Sequence, residues 1–360
     1  MTGLATLDGQ RVIAFEQRLA GALNGGALCL MMSLGHRTGL FDAMADTVPR
    51  TSAELAATAG LNERYVREWL GALVAADVVE VDPETARYRL PPEHAARLTR
   101  AATPANMAMF GQYMAVLGSV EDDIVDCFRN GGGVPYGRYG RFHEVMAEDS
   151  GQSVLPMLHE HILPLVPALI DRLQRGIRVV DIGCGRGRAV NLMAGSFPNS
   201  SFVGYDLSED ATAFATDEAR RAGHTNVRFE VRDLSSFDTE AVPGAFDFAT
   251  SFDAIHDQAR PLAVLRGICR SLADDGVYLA QDIKGSSHHH LNRDHPFGTM
   301  IYTISCMHCM TVSLAQGGEG LGAMWGRETA ERYMREAGFG TVEVHELPHD
   351  PMNYYYVMRP

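Results

Sequence analysis

Residues 179–187 read Val179-Val180-Asp181-Ile182-Gly183-Cys184-Gly185-Arg186-Gly187. The β-branched run that ends in Asp181 is typical of a buried strand, and three glycines then alternate with single residues. A helical pattern follows over residues 188–195. This order predicts a strand, a turn that tolerates no side chains, and a helix whose N-terminus faces a ligand. The spacing is shorter than the Gly-x-Gly-x-x-Gly dinucleotide fingerprint, on which pyrophosphate binding relies.

Four more strands are predicted downstream, over residues 201–205, 226–231, 246–251 and 277–283, with helical stretches between them. Asp206 closes the second strand of the series, where an acid can accept both hydroxyls of a ribose. Asp233 and Leu234 follow the third strand, where an adenine edge and face could lie. The alternation predicts an open, doubly wound, mostly parallel sheet that binds its ligand at the carboxyl ends of the strands.

The end of the chain predicts a β-hairpin. Residues 341–347 and 352–358 read as strands, and a short turn rich in Pro and Asp separates them. One strand of such a hairpin must run antiparallel to the rest of the sheet. A nucleotide or nicotinamide site on a similar sheet is one interpretation of the glycine turn. A nicotinamide-binding domain, however, would not usually end in such a hairpin.

These motifs resemble the S-adenosylmethionine-binding motifs of class I methyltransferases over residues 155–360. The resemblance implies a Rossmann-like, seven-stranded, mostly parallel sheet with a C-terminal antiparallel hairpin, and S-adenosylmethionine as the cofactor. It implies that the glycine turn packs on the amino-acid part of the cofactor, that Asp206 holds the ribose, and that Asp233 and Leu234 meet the adenine. The predicted cofactor-binding residues are Tyr136, Asp181, Gly183, Cys184, Gly185, Gly187, Asp206, Leu207, Asp233, Leu234 and Phe252.

Composition narrows the class of protein further. The chain has 360 residues, enough for two or three domains, and a formal net charge of −14, which disfavours nucleic acid as the main partner. No run approaches 18 apolar residues, and the N-terminus lacks a basic region followed by an apolar core. We therefore expect a cytoplasmic protein without a membrane segment. Six cysteines at irregular spacing indicate reduced thiols rather than a disulfide framework.

The first hundred residues predict a mostly α winged-helix domain. Residues 10–46 show helical periodicity, with Val12, Phe15, Leu19 and Leu23 on one face. Two short helices over 51–60 and 62–76 precede two β-rich runs, 78–81 and 87–90, and helix–turn–helix plus hairpin is a winged-helix arrangement. Residues 51–100 hold six Arg and no Lys against eight Asp or Glu, so the basic footprint of a DNA reader is missing.

A dimerisation and substrate-lid role is therefore favoured over DNA binding for residues 1–100. Small-molecule O-methyltransferases of plants and actinobacteria resemble this layout and dimerise through such a domain, which implies a homodimer. Residues 101–154 are predicted to be a helical linker and lid. Gly and Pro mark a hinge at residues 130–140, where Tyr136 could fold over the cofactor, or the loop could be a mobile linker. His159 follows on a helical segment and could line a pocket.

The chemistry is expected directly after the fourth strand. His256 and Asp257 resemble the His-Asp-Trp of plant-type O-methyltransferases, in which the His is the general base, although Gln258 replaces the Trp. A His suits removal of a hydroxyl proton. The resemblance also implies that Asp282, at the end of the fifth strand, orients His256. The alternative is that His256 begins a helix and bonds only to backbone.

Residues 284–326 form a predicted insertion with an apolar helix over 299–315. Tyr302, Cys306 and His308 on that helix could select the acceptor, and the helix could also pack at a dimer interface. Cys306 and Cys309 with a nearby His could hold a soft metal, but no second paired motif exists, so no metal is predicted.

The sequence thus predicts methyl transfer from S-adenosylmethionine to a small-molecule acceptor, at a hydroxyl. Transfer to sulfur or carbon, with catalysis by positioning alone, is one alternative. A winged-helix transcription regulator that senses S-adenosylmethionine is another, and a methyltransferase acting on RNA or protein is the third.

Overall fold

A computed structural model of the protein describes residues 7–360. Contacts within it form two compact units, one that ends at Ala115 and one that covers Val116–Pro360. The division falls inside residues 101–154, the segment that the sequence assigns to a linker and lid. Each unit is described by itself.

The first unit is helical with one small hairpin. Its elements are α1 Gly9–Thr38, α2 Leu40–Ala43, α3 Ser52–Ala59, α4 Glu63–Ala75, β1 Glu80–Asp82, β2 Arg87–Arg89 and α5 Pro92–Leu98. Thr51 and Glu54 form a capping box at the start of α3, and Gly60 ends it in the left-handed conformation with a φ of 67°. The strands pair antiparallel. The predicted helix–turn–helix and hairpin are present.

The predicted first helix is shorter than its periodicity suggests. It ends at Thr38 because Gly39 is left-handed, with a φ of 75°. The face formed by Val12, Phe15, Leu19 and Leu23 is exposed and takes no part in the core of the unit. By length and composition α1 could cross a membrane, and the bent pair 142–165 with 169–175 passes the same test, which core helices of soluble proteins also pass.

The second unit is built on a seven-stranded sheet in the order β5-β4-β3-β6-β7-β9-β8. The strands are β3 Arg178–Ile182, β4 Ser201–Asp206, β5 Val227–Val231, β6 Phe246–Phe252, β7 Leu272–Ile283, β8 Thr341–Leu347 and β9 Asp350–Arg359. Pairs among β3 to β7 are parallel, while β9 runs antiparallel to β7 and β8. This is the predicted sheet with its antiparallel hairpin.

Helices cover both faces of this sheet. The helices after residue 110 are α6 Gly111–Gly118, which crosses the boundary between the units, α7 Glu121–Asn130, α8 Phe142–Ser153, α9 Leu169–Arg175, α10 Arg188–Ser196, α11 Glu209–Ala222, α12 Phe237–Glu240, α13 Pro261–Ser271, α14 Gly298–Ile304, α15 Met310–Ala315 and α16 Gly326–Glu336. Of these, α9 and α10 pack in the core on one face of the sheet, and α12, α13 and α16 pack in the core on the other. Alternate residues of β3 enter opposite cores: Val180 and Ile182 pack in one cluster, Val179 in the other. The chain reverses its winding between β3 and β6, so a crevice opens outside their carboxyl ends.

The predicted helix over 299–315 contains a π-helical turn at Ser305–Cys309, between α14 and α15. Such a turn inserts one residue into a helix and occurs frequently at functional sites. The predicted helical stretch after residue 101 is also interrupted. Short 3₁₀ turns at Arg100–Ala102 and Ala108–Phe110 precede α6, and α7 begins only at Glu121.

Candidate active site

The glycine turn joins β3 to α10 at the crevice. Gly183, Gly185 and Gly187 have φ values of 68°, 53° and 67°, which L side chains rarely adopt. A Cβ at Gly183 would collide with Ala254, and one at Gly187 would lie 2.7 Å from the Ala215 Cβ. A Cβ at Gly185 would meet no atom within 4 Å. The outer glycines are thus required for packing, whereas the central one leaves open space beside the turn.

A cavity of about 510 Å³ lies at the carboxyl ends of the parallel strands. All the predicted cofactor-binding residues line it: Tyr136, Asp181, Gly183, Cys184, Gly185, Gly187, Asp206, Leu207, Asp233, Leu234 and Phe252. They come from the ends of four parallel strands, the glycine turn and the loop after α7. Residues spread over more than a hundred positions of the chain therefore converge on one space.

Asp206 is held rigidly at the end of β4. Its Oδ2 accepts a hydrogen bond from the Gly185 N–H at 2.7 Å, and its Oδ1 accepts one from the Ser208 N–H at 2.9 Å. Each carboxylate oxygen keeps a second lone pair for a ligand. The Asp233 carboxylate accepts a hydrogen bond from the Ser235 N–H at 2.8 Å. Both acids are oriented before any ligand arrives.

Asp181 lies beneath the turn and is 3% exposed. The Thr250 hydroxyl donates a hydrogen bond to its Oδ1 at 2.7 Å. Burial, with a smaller contribution from the charge of Asp206, raises the pKa of Asp181 to about 7 in spite of that hydrogen bond. Burial also raises the pKa of Cys184 well above its usual range, so this residue is a thiol at neutral pH.

The lid loop, residues 130–140, forms hydrogen bonds with the loop after β6 and with the insertion. The Tyr136 hydroxyl donates a hydrogen bond to Asp257 Oδ2 at 2.5 Å, and the Val134 N–H donates one to the Thr311 hydroxyl at 2.8 Å. The Tyr139 hydroxyl donates to the Met307 carbonyl. Gly133 packs so closely on α15 that a Cβ would strike the backbone of Thr311. The loop thus packs on the insertion, and Tyr136 and Tyr139 also line the cavity.

His256 and Asp282 are brought together, but below the cavity wall. The His256 Nδ1 lies 2.7 Å from Asp282 Oδ1, and the Trp325 Nε1–H donates to the same oxygen at 3.1 Å. His256 is 3% exposed and does not line the cavity. Burial lowers its pKa, but the Asp282 carboxylate and a hydrogen bond with Cys309 outweigh burial, and the net shift is well upward. The alternative that His256 bonds only to backbone is wrong.

The next residue, Asp257, does line the cavity. Burial raises the pKa of its carboxyl to about 6, although His256 and the hydrogen bond from Tyr136 oppose that shift. The His-Asp motif gives Asp257 no role beyond its place beside His256. Which of the two neighbouring side chains faces the cavity depends on how the loop after β6 packs, and local sequence does not show that packing.

Of the residues predicted to bind the acceptor, only His308 lines the cavity. Tyr302 and Cys306 lie one helical turn apart and line a separate open cavity of about 750 Å³ beside α7. Cys306 and His308 are two residues apart, and such residues point to different sides of a helix. His159 stacks on Phe197, with ring centroids 5.5 Å apart, in a core outside the cavity.

Several cavity residues were not predicted. Phe142 begins α8, next to the lid, and Arg232 precedes Asp233. Asp253 directly follows β6 in a left-handed conformation, with a φ of 51°, and its buried Oδ1 has no hydrogen-bond partner among the described residues. The unusual backbone of Asp253 leaves no trace in the sequence, because Asp tolerates this conformation without a glycine-like signature.

The structure also places possible metal ligands together. Asp253, His256 and Asp282 present atoms that all lie within 4.8 Å of one another. This set differs from the Cys306 and Cys309 pair weighed from the sequence. Cys306 lines the second cavity, whereas Cys309 is buried beside His256. The hydrogen bond between His256 and Asp282 already satisfies two members of the set.

Two known protein families match this chain, one within each of the two units. Residues 26–100 match the family described as an Rv2258c-like winged HTH domain, and residues 173–338 match the family described as a methyltransferase domain. A trans-aconitate 2-methyltransferase of Variovorax paradoxus is 38% identical over 65 residues, which are 18% of this chain and 23% of that enzyme. The chain aligns with less than half of the length of the curated relatives that it matches.

Solved structures resemble almost the whole chain. The mitomycin 7-O-methyltransferase MmcR superposes with a TM-score of 0.69 at 16% identity, covering 98% of this chain and 100% of that one. Human N-acetylserotonin methyltransferase, solved with S-adenosylmethionine, superposes with a TM-score of 0.67 at 16% identity, covering 99% of each chain. At such identity the likeness establishes the fold. The chain thus combines a winged helix-turn-helix domain with a methyltransferase domain and has the fold of the class I methyltransferases.

Proposed function

We propose that this protein is an S-adenosylmethionine-dependent methyltransferase that acts on a hydroxyl of a small molecule. The observation that carries the proposal is the convergence of every predicted cofactor-binding residue on one cavity at the carboxyl ends of the strands. The methyltransferase domain match over residues 173–338 supports it independently.

The residues of the cavity fit this cofactor. The open space beside Gly185 admits a ligand against the backbone of the turn, and the fixed carboxylate of Asp206 can accept the two hydroxyls of a ribose. Leu234 offers an apolar surface for the adenine, with Asp233 beside it. S-adenosylmethionine supplies a methyl group on a positively charged sulfur.

Methyl transfer requires chiefly that the acceptor and the methyl group be aligned, which the docked lid supports by excluding water. His256, oriented by Asp282, remains the predicted general base. We expect His256→Ala to keep its affinity for the cofactor and to lose turnover by about 100-fold or more. An unchanged rate would rule out this role for His256, which lies beneath the cavity wall.

The decisive experiment is calorimetry of the full chain with S-adenosylmethionine and S-adenosylhomocysteine. We expect both to bind, and Asp206→Asn to weaken binding by about tenfold or more, because ribose hydrogen bonds to a charged group are lost. Asp217→Asn, on the exposed side of α11, is the matched control and should bind normally. If the unaltered protein binds neither compound, the proposal is wrong.

The winged helix-turn-helix domain match makes a DNA-binding regulator the second candidate. The arginines of α4 oppose it, because Arg64 pairs with Glu68 and Arg67 with Glu63, so their charges are neutralised within the helix. A gel-shift assay at two salt concentrations separates the candidates, because specific DNA binding weakens strongly as salt rises.

We also propose that the protein forms a homodimer through α1. The apolar side chains Val12, Phe15, Leu19 and Leu23 form a continuous exposed face on that helix, and large exposed apolar faces mark interaction sites.

A further inference from the structure

A cluster of polar side chains is buried where β6 and β7 end side by side. We call it the strand-end cluster, and it consists of Asp253, His256, Gln281 and Asp282. Phe252, the last residue of β6, pairs with Gln281 of β7, and the Asp253 N–H donates a hydrogen bond to the Gln281 carbonyl at 3.0 Å. Two neighbouring parallel strands therefore fix the backbone that carries the cluster.

Three side chains of the cluster have the chemistry of metal ligands. Asp253, His256 and Asp282 each offer a carboxylate oxygen or a ring nitrogen, and these three atoms all lie within 4.8 Å of one another. Zn²⁺ binds such atoms at about 2.0–2.2 Å, which places the ligand atoms of a tetrahedral site about 3.4 Å apart. A side-chain movement of roughly an ångström would therefore close the three atoms around an ion.

The cluster is buried and rich in negative charge. His256 and Asp282 are almost completely inaccessible to solvent. Three further carboxylates act on the Asp253 carboxylate through their charges, those of Asp149, Asp282 and Asp350. The imidazole of His256 opposes them. Because ionised carboxylates away from water require a compensating cation or a metal ion, the cluster favours a further positive charge.

Two oxygen atoms of the cluster lack a partner. The Asp253 Oδ1 and the Gln281 Oε1 are buried, and neither has a hydrogen-bond partner among residues 7–360. Gln281 is 1% exposed, and its Nε2 donates to the Asp253 Oδ2 at 3.3 Å, so its amide lies against the cluster. Native proteins seldom leave a buried polar atom without a partner. A metal ion between these side chains would supply one.

The Asp282 carboxylate is already held in the way that metal ligands are held. Its Oδ1 accepts hydrogen bonds from the Trp325 Nε1–H at 3.1 Å and from the Ile283 N–H at 2.8 Å. Outer contacts of this kind orient the ligands of a metal site. The His256 Nδ1 lies 2.7 Å from the same oxygen. A metal ion would take the place of the proton between them, because a histidine that binds a metal does so as the neutral imidazole.

The three ligands indicate which metal ion the cluster would bind. One imidazole and two carboxylates suit Zn²⁺, and three protein ligands leave a fourth position for water, whereas Mg²⁺ and Ca²⁺ take oxygen ligands. The Cys309 thiol forms a hydrogen bond with His256 but is not one of the three atoms brought together. Asp253 lines the cavity, so an ion can enter from that side.

We propose that Asp253, His256 and Asp282 form a zinc-binding site at the ends of β6 and β7. The inference goes beyond the proposed function and does not rest on it, because the ligands lie together whether or not the cavity binds S-adenosylmethionine. A metal ion on the imidazole would keep His256 from accepting a proton. Zinc binding and the role of general base therefore exclude each other in one molecule.

Competition for Zn²⁺ between the full chain and a chromophoric chelator, without cofactor, tests the inference. We expect the unaltered protein to bind one Zn²⁺ tightly. Asp253→Asn and Asp282→Asn should each weaken binding by about tenfold or more, because a neutral amide replaces a charged ligand. Asp247→Asn is the matched control, since it removes a carboxylate near the opposite end of β6, and it should bind Zn²⁺ like the unaltered protein.

The exposed histidines of the insertion need a control of their own. The triple variant His288→Gln, His289→Gln, His290→Gln removes three exposed imidazoles and should retain tight binding. X-ray absorption at the zinc edge identifies the ligands in the unaltered protein, even if a variant fails to fold. We expect nitrogen and oxygen ligands at about 2.0–2.2 Å, including a single imidazole, and no sulfur at about 2.3 Å.

Four results overturn the inference: no tight binding of Zn²⁺ to the unaltered protein, a sulfur ligand, loss of binding in the triple histidine variant, or undiminished binding in folded Asp253→Asn and Asp282→Asn. Thermal unfolding shows whether each variant is folded. Failure of S-adenosylhomocysteine to bind, measured separately by calorimetry, would refute the proposed function and leave the zinc site standing.

Discussion

Gly185 and Gly187 share a left-handed backbone but require glycine for different reasons. At Gly187 a Cβ would enter the packed contact with Ala215 and Phe229, whereas at Gly185 it would enter open space beside the cavity. Strain from the backbone alone is about 1–2 kcal/mol for a residue with a side chain. Two substitutions of the same chemistry should therefore affect different properties.

We expect Gly185→Ala to weaken S-adenosylhomocysteine binding by about tenfold or more while costing only the strain energy, about 1 kcal/mol. Gly187→Ala should destabilise the fold by more than that, since it adds a collision. Gly223→Ala is the control: it has a φ of 75° and open space around it at the end of α11. It should lose stability like Gly185→Ala but keep its affinity, as measured by urea unfolding and calorimetry.

The contribution of Asp181 to the free energy of unfolding should change with pH in the opposite direction to that of an ordinary ion-paired acid. Its folded pKa of about 7 exceeds the usual value of 3.8, so the folded state binds the proton more tightly than the unfolded chain. The contribution to stability is fully present below about pH 4 and is lost as the pH rises through about 7. The size is roughly 1.4 kcal/mol for each unit of pKa difference that the pH crosses.

Asp181→Asn should therefore stabilise the ligand-free protein at pH 8 relative to the unaltered protein, and the advantage should shrink at pH 5. Asp247→Asn is the contrasting control, because hydrogen bonds from Arg178 lower the pKa of Asp247 and its contribution is lost as the pH falls. Urea unfolding at pH 5, 6.5 and 8 measures both. Destabilisation of Asp181→Asn at pH 8 would contradict the assignment.

At the scale of elements, a few hydrogen bonds to residues distant in the sequence hold the lid in its position. The Tyr136–Asp257 hydrogen bond links positions 121 residues apart. The π-helical turn at Ser305–Cys309 then determines which side of the insertion helix meets the lid. These two features together place His308, and not Tyr302 or Cys306, at the cavity.

Tyr136→Phe removes one hydrogen bond of the docked lid without removing the ring. We expect S-adenosylhomocysteine to dissociate about fivefold faster, consistent with the loss of roughly 1 kcal/mol, and amide exchange of residues 130–140 to accelerate. Stopped-flow displacement and hydrogen exchange provide the two readouts. Tyr65→Phe, at an exposed position on α4, should change neither. Unchanged dissociation in Tyr136→Phe would mean that the lid does not retain the ligand.

At the scale of the whole molecule, we expect the exposed apolar face of α1 to contact a second copy of the chain. Leu23 is 76% exposed and Phe15 55% exposed, which is unusual for side chains of this size on one helix. We expect the protein to be a dimer by light scattering, and the double variant Phe15→Glu, Leu19→Glu to be a monomer with its S-adenosylhomocysteine affinity intact.

Gln17→Glu adds a charge on the opposite face of α1 and should leave the dimer unchanged. A protein that is monomeric without substitution would refute the dimer. Flotation with liposomes distinguishes the remaining possibility, since α1 is long and apolar enough to cross a membrane and a membrane-bound helix would carry the protein to the lipid.

The sheet and the glycine-turn side of the cavity follow from local patterns in the sequence. Strand, glycine turn and helix follow one another within a few residues, and an acid ends each neighbouring strand. Because the carboxyl ends of parallel strands meet at one edge of a sheet, local spacing was sufficient to bring Asp181, Asp206 and Asp233 together. The resemblance to class I methyltransferases rests on the same spacing.

Which side chains reach the rest of the cavity depends on contacts between distant parts of the chain. His256 and Asp257 are adjacent, yet Asp257 lines the cavity while His256 lies beneath its wall. The difference depends on how the loop after β6 packs, on the rotation of the insertion helix and on the docking of the lid. Those are contacts between residues far apart in the chain, and no local periodicity encodes them.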